Sequence, residues 1–277
     1  MTIPSVTIPS VTLPPMTAAL TAIPPGLEPF TFDLFVPVYR PLRSGAWHIH
    51  HGQNLLAQGY WSPARLVASV TALVRDDETW MSTTPIELES QEIGVRLSAG
   101  HVVVFGLGMG WSMVACALRP EVTAVTVVEI DPEVIALHRD LDLAAQLPPE
   151  ARTKIRIVEG DALAWRPDRP VDLLMPDIWL PLVSDDRVAD VRRMQANVQA
   201  ASLYFWGQEL EIARHAVAAG RALDAEGVRA TIAAFGLPLI GPALPGYAEK
   251  VRQAAARHMR GRWLPGTVEP GLVADAG

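Results

Sequence analysis

A glycine-rich loop is the first feature of this sequence that could support chemistry. Gly106, Gly108 and Gly110 alternate with Leu107 and Met109, directly after an apolar run that predicts a buried strand. Glycine lets a chain turn sharply and lets a ligand approach the backbone without an intervening side chain. The helix predicted to follow offers free amide donors at its start. The loop therefore predicts a ligand-binding turn, and an ordinary tight turn is the alternative.

Acidic residues follow three later predicted strands. Glu129 ends the second strand, Asp161 follows the third and Asp177 follows the fourth. Parallel strands place their carboxyl ends at one edge, where ligands bind in open α/β sheets. We expect Glu129 to accept both hydroxyls of a ribose, and Asp161, beside the backbone of Ala162, to accept from an adenine amino group. The alternatives are a solvent-facing acid for Glu129 and a turn or helix-cap aspartate for Asp161.

Trp111 argues against a dinucleotide as the ligand of the glycine loop. A dinucleotide-binding fingerprint, Gly-x-Gly-x-x-Gly or Ala, requires a small third residue, and Trp111 stands at that place. A large indole there would obstruct close packing of the helix on the strand. The spacing therefore disfavours NAD and FAD as ligands.

The glycine loop and the three acids, taken in order, resemble the motifs of class I S-adenosylmethionine-dependent methyltransferases over about residues 80–235. The segment 129–132, Glu-Ile-Asp-Pro, is most similar to the spermidine synthase-like branch, in which a strand-end Glu holds the ribose. The stretch 80–87 loosely resembles the segment before the glycine loop in that branch, which implies that Met81 and Ser82 either touch the methionine part of the cofactor or end a structural segment. The resemblance implies S-adenosylmethionine as the cofactor, held by these residues: Gly106, Leu107, Gly108, Gly110, Glu129, Ile130, Asp161 and Ala162.

Two departures from the spermidine synthase pattern bear on the reaction. That family has a Gly-Gly-Gly-Asp-Gly loop, and after the fourth strand an Asp followed by Ser or Thr, Asp and Pro. Here Leu107 and Met109 stand in the loop, and Asp177 is followed by Ile178 and Trp179. We therefore expect methyl transfer to a small-molecule or peptide acceptor, with aminopropyl transfer from decarboxylated S-adenosylmethionine as the alternative. A further alternative is a binding protein that retains the fold without catalysis.

Asp177 is the candidate catalytic residue. A sulfonium methyl group is already activated, so the enzyme mainly has to align the acceptor and, where needed, remove its proton. We expect Asp177 to do this, and a structural loop aspartate is the alternative. Trp179 and Trp206 are predicted either to wall an acceptor pocket or to pack in the core. Gln208 and Glu209 follow the fifth predicted strand, where an acceptor could reach them.

Two histidines and one cysteine complete the candidate residues. His48 and His50 would share one face of a predicted strand, but catalytic zinc needs three protein ligands and the spacing suggests no third. We therefore predict no metal and interpret them as surface or loop histidines. Cys116 is the single cysteine, so it forms no intrachain disulfide, and its apolar surroundings predict a buried, unreactive thiol.

Composition limits the classes of partner. The chain has 277 residues, of which 49% are apolar and 19% charged, and its net charge is −7; such values are typical of a folded protein. The negative charge argues against nucleic-acid binding. No apolar segment reaches the roughly 18 residues needed to span a bilayer, and the chain does not begin with a secretion signal. We expect a cytoplasmic protein without a membrane partner, and a homodimer stays an open alternative.

The predicted elements form an α/β fold of the Rossmann-like class I methyltransferase type, a mostly parallel sheet with helices on both faces. Strands are predicted at 101–105, 122–128, 155–158, 171–175, 202–206 and 228–235. Before them, residues 30–39 and 46–51 are predicted as strands and 66–74 as a helix. The predicted divisions are a Pro-rich disordered arm (1–26), a small N-terminal lobe (27–80), an S-adenosylmethionine-binding domain (81–264) and a flexible tail (265–277).

Overall fold

The computed structural model describes residues 28–272 and residue 274. The predicted Pro-rich arm at 1–26 lies outside the described residues, as do positions 273 and 275–277 of the predicted tail. The domain boundaries inferred from the sequence stay predictions.

An antiparallel sheet comes first in the chain. Its strands, in the order β1-β2-β3-β4, are β1 (Arg43–Ser44), β2 (Trp47–Ala57), β3 (Arg65–Arg75) and β4 (Glu78–Ser82). The predicted strand at 46–51 is confirmed as the first part of β2. The predicted strand at 30–39 is wrong, because this stretch is coil and only a single bridge joins Pro29 to Leu66. Pro37 lacks an amide donor for a strand ladder, and the apolar side chains here pack on the core as coil.

The helix predicted at 66–74 is also wrong, because these residues form the interior of β3. Val67, Val70 and Leu73 are all buried, although alternate residues of a strand point to opposite faces. Burial on both faces removes the alternation that identifies a strand and leaves a spacing that resembles a helix. The β-branched residues in this stretch favour the observed strand.

A five-stranded parallel sheet confirms the predicted α/β fold. Its order is β7-β6-β5-β8-β9, and the strands are β5 (Gly100–Phe105), β6 (Val122–Glu129), β7 (Ile155–Glu159), β8 (Leu173–Pro176) and β9 (Ser202–Leu203). The chain starts in the middle, moves to one edge, and then crosses to the other side, so β5 and β8 flank the point where the winding reverses. Ligands of open α/β sheets bind beyond the strand ends at this point.

Eight α-helices accompany the two sheets within the described residues. They are α1 (Pro85–Arg96), α2 (Trp111–Ala117), α3 (Pro132–Leu141), α4 (Pro149–Arg152), α5 (Arg187–Val198), α6 (Gln208–Ala218), α7 (Ala225–Phe235) and α8 (Tyr247–His258). Asp131 caps α3, because its side chain accepts the Glu133 amide at 2.8 Å. None of the helices described between residues 28 and 272 has both the length and the apolar character needed to cross a bilayer.

The strand predicted at 228–235 is wrong, because α7 covers it. Asp224 caps this helix by accepting the Gly227 amide at 2.8 Å. Val228, Thr231 and Phe235 are the buried face, and their spacing of three and four residues is helical. The apolar, β-branched composition suggested a strand, but the cap and the spacing determine the structure.

The antiparallel sheet is fixed to the start of α3. The Trp47 indole donates to Asp131 Oδ2 at 2.8 Å, and the Ala46 amide donates to Glu133 Oε2 at 3.0 Å. Arg75 also reaches Asp131 Oδ2, at 3.3 Å. Since α3 begins just after β6, these contacts hold the antiparallel sheet beside the carboxyl edge of the parallel sheet.

Candidate functional site

The glycine loop turns directly from β5 into α2, as predicted. Gly106, Gly108 and Gly110 all have positive φ angles, of 89°, 47° and 71°, which other residues rarely adopt. A Cβ atom at Gly106 would lie 2.0 Å from the Asp177 carbonyl oxygen. The loop after β5 and the loop after β8 therefore touch, and only glycine fits where they do.

Glu129 holds the glycine loop in place. Its carboxylate lies at the end of β6 and is only 8% exposed. Oε2 accepts the Leu107 amide at 2.8 Å, and Oε1 accepts the Asp131 amide at 2.9 Å. A carboxylate has about four lone-pair sites, so each oxygen can still accept one further hydrogen bond. The carboxylate predicted to bind ribose is thus held in a fixed position next to the loop.

Met81, at the end of β4, lies against the loop. Its sulfur accepts the Met109 amide at 3.1 Å and lies 2.6 Å from the place of a Cβ atom on Gly108. A thioether is a weak acceptor, so a stronger acceptor could replace it. The sequence placed Met81 near the cofactor only through the family resemblance.

His138 is a loop contact that the sequence did not identify. Its Nε2 lies 2.8 Å from the Gly108 carbonyl oxygen, which can only accept, so Nε2 carries the hydrogen. Burial lowers the pKa of His138 to about 4, which keeps the ring neutral near pH 7. A histidine seven residues along a helix from its cap has no sequence signal for such a role.

The other residues predicted to bind the cofactor, Ile130, Asp161 and Ala162, lie after β6 and β7. Asp161 is exposed, and its Oδ1 accepts the Leu163 amide at 2.9 Å, which agrees with the turn-aspartate alternative. No donor in the described part of the chain reaches its Oδ2. Ala162 is buried, whereas the side chain of Ile130 is 66% exposed at the same sheet edge and can pack against a flat ring.

Asp177 lies beside the glycine loop and belongs to a pair of carboxyl groups. The Gln91 side chain donates to its Oδ2 at 2.7 Å. Burial raises the pKa of Asp177 to about 7, although Arg187 and Gln91 act to lower it. Glu87 is close enough that the Asp177 charge adds to the effect of burial and raises the Glu87 pKa to about 8. At neutral pH the two carboxyl groups therefore do not both carry a full charge.

Glu87 and Gln91 were not identified as site residues. They lie four residues apart on α1, so one face of that helix presents both. Glu87 belongs to the segment 80–87 noted from the family resemblance, but nothing in the sequence brings α1 to the end of β8.

Arg187 contacts the rings of both Trp179 and Trp206. Its guanidinium lies 4.6 Å from the ring centroid of Trp179 and 5.2 Å from that of Trp206. It donates to the carbonyl oxygens of Leu182, at 2.8 Å, and of Trp206, at 2.9 Å, and also to that of Pro181. Burial lowers the pKa of Arg187 to about 10, so it stays charged at pH 7. Trp206 is buried, which supports the core-packing interpretation for this residue.

The expectation that an acceptor could reach Gln208 and Glu209 is wrong, because both are fully buried. The Glu209 carboxylate accepts hydroxyl hydrogen bonds from Tyr60 at 3.2 Å, Tyr204 at 3.2 Å and Tyr247 at 2.9 Å. Sequence position after a strand does not reveal that three aromatic side chains enclose this carboxylate.

The predictions for His48, His50 and Cys116 can be compared with their positions in the structure. His48 is half-buried and His50 exposed on β2, and no cluster of three metal-binding side chains lies within the described residues. The Cys116 prediction is confirmed: the thiol is buried against Met175, and burial raises its pKa to about 12. Trp111 begins α2 and donates to the Phe35 carbonyl oxygen at 2.9 Å.

Comparison with known proteins gives similarity to solved structures alone. No family model matches the chain, and no curated protein matches it. Solved structures with similar parts include the glycopeptide N-methyltransferase MtfA complexed with S-adenosylhomocysteine, at 24% identity and a TM-score of 0.31 over 39% of this chain and 41% of that one. Another is a DhpI–SAM–HEP complex, at 22% identity and a TM-score of 0.31 over 42% of this chain and 51% of that one. A third is the methyltransferase domain of bacterial CtHen1-C, at 19% identity and a TM-score of 0.31 over 40% of this chain and 59% of that one. The matched parts cover less than two thirds of each of these chains, and the similarity is one of fold.

Proposed function

We propose that this chain binds S-adenosylmethionine at the glycine loop and catalyses transfer of its methyl group to a small-molecule or peptide acceptor. The observation that carries the proposal is the pair of hydrogen bonds that Glu129 accepts from Leu107 and Asp131. They place an acid with spare acceptor capacity beside a glycine loop, at the switch point of the sheet.

The residues present fit this cofactor. Glu129 can accept two ribose hydroxyls, and Asp161 and Ile130 offer an acceptor and an apolar surface to an adenine. The Met109 amide, which now donates to the Met81 sulfur, could instead donate to the carboxylate of a methionine moiety, because a carboxylate is the stronger acceptor.

Asp177 is the residue that we assign to the acceptor. S-adenosylmethionine supplies a methyl group bound to a positively charged sulfur, which is already activated for attack. A carboxylate with a pKa of about 7 can take the acceptor's proton near neutral pH, where a general base is most effective. Gln91 fixes the orientation of Asp177 through its 2.7 Å hydrogen bond. The proton removed from the acceptor would reside on Asp177 Oδ1, because Glu87, with a pKa of about 8, already holds its own proton near neutral pH.

Aminopropyl transfer is the second candidate function. The paired carboxyl groups of Glu87 and Asp177 favour it, because two such groups can bind an amine acceptor as an ammonium ion and then take up its proton. The departures in the glycine loop and after Asp177 favour methyl transfer.

Binding and product analysis together separate these functions. Calorimetric titration would compare S-adenosylmethionine and S-adenosylhomocysteine with decarboxylated S-adenosylmethionine and methylthioadenosine. We expect tighter binding of the two compounds that carry a carboxylate, and S-adenosylhomocysteine as the product with an amine or peptide panel. Preference for the other pair, with methylthioadenosine as product, would replace methyl by aminopropyl transfer. Binding without turnover of any acceptor would favour a non-catalytic binding protein.

A further inference from the structure

His138 of α3 lies directly against the glycine loop. Its ring is buried, and its Nε2 donates to the Gly108 carbonyl oxygen at 2.8 Å. The ring also fills the space beside Gly110, where a Cβ atom would lie only 2.6 Å from the imidazole Cε1. The imidazole therefore contacts the loop at two of its three glycines.

The peptide group between Gly108 and Met109 connects His138 to the proposed cofactor site. A trans peptide is planar, and its C=O and N–H point in opposite directions. His138 binds the carbonyl oxygen of this group, so the Met109 amide points away from the imidazole, and there it donates to the Met81 sulfur at 3.1 Å. His138 and Met81 thus lie on opposite sides of one peptide group.

The hydrogen bond from His138 sets the orientation of this peptide group. Gly108 has a φ of 47° and no side chain, so its backbone accepts a wider range of angles than that of other residues. Rotation of the peptide group would place its carbonyl oxygen where the Met109 amide now lies, and that oxygen would repel a carboxylate. A donor on the carbonyl oxygen also polarises the peptide group, which makes its N–H a stronger donor.

The Met109 amide is a donor that a ligand can take over easily. The Leu107 amide donates to Glu129 at 2.8 Å, and the Gly110 amide donates to the Leu107 carbonyl oxygen at 2.7 Å. Both of these acceptors are oxygen atoms. The acceptor of the Met109 amide is the Met81 sulfur, and a thioether is a weak acceptor. A ligand carboxylate would therefore replace it at little cost.

We propose that His138 is a positioning residue that makes the site prefer a cofactor with a carboxylate, because it directs the Met109 amide toward that group. This role rests on the proposed binding of S-adenosylmethionine at the glycine loop. S-adenosylmethionine and its decarboxylated form differ only in the carboxylate, so the ratio of their affinities reports the orientation of the amide. Burial lowers the pKa of His138 to about 4, so near pH 7 its replacement by a neutral residue changes no charge.

Two variants of similar side-chain length test this role, by calorimetric titration of the full chain with both compounds near pH 7. His138→Met removes the donor, whereas His138→Gln keeps an amide donor at about the position of Nε2. We expect the wild type to bind S-adenosylmethionine at least about tenfold more tightly than the decarboxylated form, as one hydrogen bond to a charged group would give. His138→Met should lower this preference to below about threefold, and His138→Gln should retain most of it.

Leu141→Ala is the control for a merely structural role, because Leu141 is buried in the same helix and its side chain has no donor. It should lower the Tm without changing the preference. An unchanged preference in His138→Met, or an equal loss in His138→Gln or Leu141→Ala, would overturn the role of His138 and leave S-adenosylmethionine binding intact. Equal affinity of the wild type for the two compounds would do the same. No binding of either compound to the wild type would overturn this role together with the proposed function.

Discussion

Asp177 and Glu209 are both carboxyl groups whose pKa is raised to about 7, mainly by burial, yet their surroundings differ. Glu209 is fully buried, and three tyrosine hydroxyls occupy its oxygens. Asp177 is half-buried at the carboxyl edge of the parallel sheet, with one donor from Gln91. A raised pKa therefore reports burial in both places, and access to a ligand is what distinguishes a candidate catalytic group from a structural one.

The tyrosine-ringed carboxylate connects distant parts of the chain. Tyr60 precedes β3, Tyr204 follows β9 and Tyr247 begins α8, while Glu209 lies in the first turn of α6. The Tyr204 hydroxyl is also 2.8 Å from the Ser90 carbonyl oxygen of α1. We infer that this cluster stabilises the fold and that the Asp177 cluster supports the reaction.

The largest expected effect is on stability. Glu209→Leu leaves the buried hydroxyls of Tyr60 and Tyr247 without their acceptor, whereas the Tyr204 hydroxyl keeps the Ser90 carbonyl oxygen. Each such loss costs about 1–3 kcal/mol. We expect the free energy of unfolding, measured by urea denaturation, to fall by roughly 3–5 kcal/mol. Glu209→Gln keeps the shape and one acceptor oxygen, and should cost less. Equal stability of wild type and Glu209→Leu would contradict the structural assignment.

Asp177→Asn should show the opposite pattern. Removal of a general base lowers the rate about 10²- to 10⁴-fold, so kcat for S-adenosylhomocysteine formation should fall by that factor once an acceptor is found. Stability near neutral pH should not fall, because asparagine retains the shape and removes a charge whose burial is unfavourable. An unchanged kcat would remove Asp177 from the reaction.

Stability should fall as pH rises. In the folded chain the pKa is about 7 for Asp177 and Glu209 and about 8 for Glu87, against ordinary values of 3.8 for Asp and 4.5 for Glu. Between the ordinary and the raised value the folded state retains a proton that the unfolded chain has lost, so each group destabilises the fold by up to about 1.4 kcal/mol per pH unit. Urea denaturation between pH 6.5 and 8, above the range in which the lowered pKa of His138 acts in the opposite direction, should show this slope, and Glu209→Gln should make it shallower. A stability that rises over this range would be inconsistent with these raised pKa values.

The smallest effect is expected at Gln91. Gln91→Leu removes the donor that stabilises the ionised form of Asp177 and therefore raises the Asp177 pKa further. The pH at which kcat is half-maximal should move upward by less than about one unit, since one hydrogen bond is worth roughly 1 kcal/mol. Gln91→Asn is the suitable control, because it keeps the amide group on a shorter side chain. Gln91→Glu is not suitable, because it adds a charge. A downward shift would show that Gln91 does not donate to Asp177.

The parallel sheet was predictable because its inner strands β5 and β8 are short and apolar on both faces, and glycine or acidic residues follow its strands. The antiparallel sheet was less so. Val67, Val70 and Leu73 are buried on both faces of β3, which obscures the strand period. In α7, the β-branched residues Val228 and Thr231 suggested a strand, whereas the Asp224 cap defined a helix.

The candidate site likewise contains some residues that the sequence identified and others that it did not. Gly106 and Glu129 were identified because their roles depend on local sequence: a turn after one strand and an acid at the end of the next. Gln91, Glu87 and His138 reach the site from helices, and their approach depends on how α1 and α3 pack against the sheet. Such contacts join residues up to 86 positions apart, as in the Gln91–Asp177 hydrogen bond, and local patterns do not contain them.

Calorimetric titration of S-adenosylmethionine into three proteins tests the central claim most directly: wild type, Glu129→Ala and, as a matched control, Glu209→Gln. The account predicts saturable binding to the wild type, at least a tenfold loss of affinity for Glu129→Ala, where hydrogen bonds to a charged group are removed, and wild-type affinity for Glu209→Gln. Equal affinity for wild type and Glu129→Ala, or no binding to the wild type, would contradict the assignment of this site.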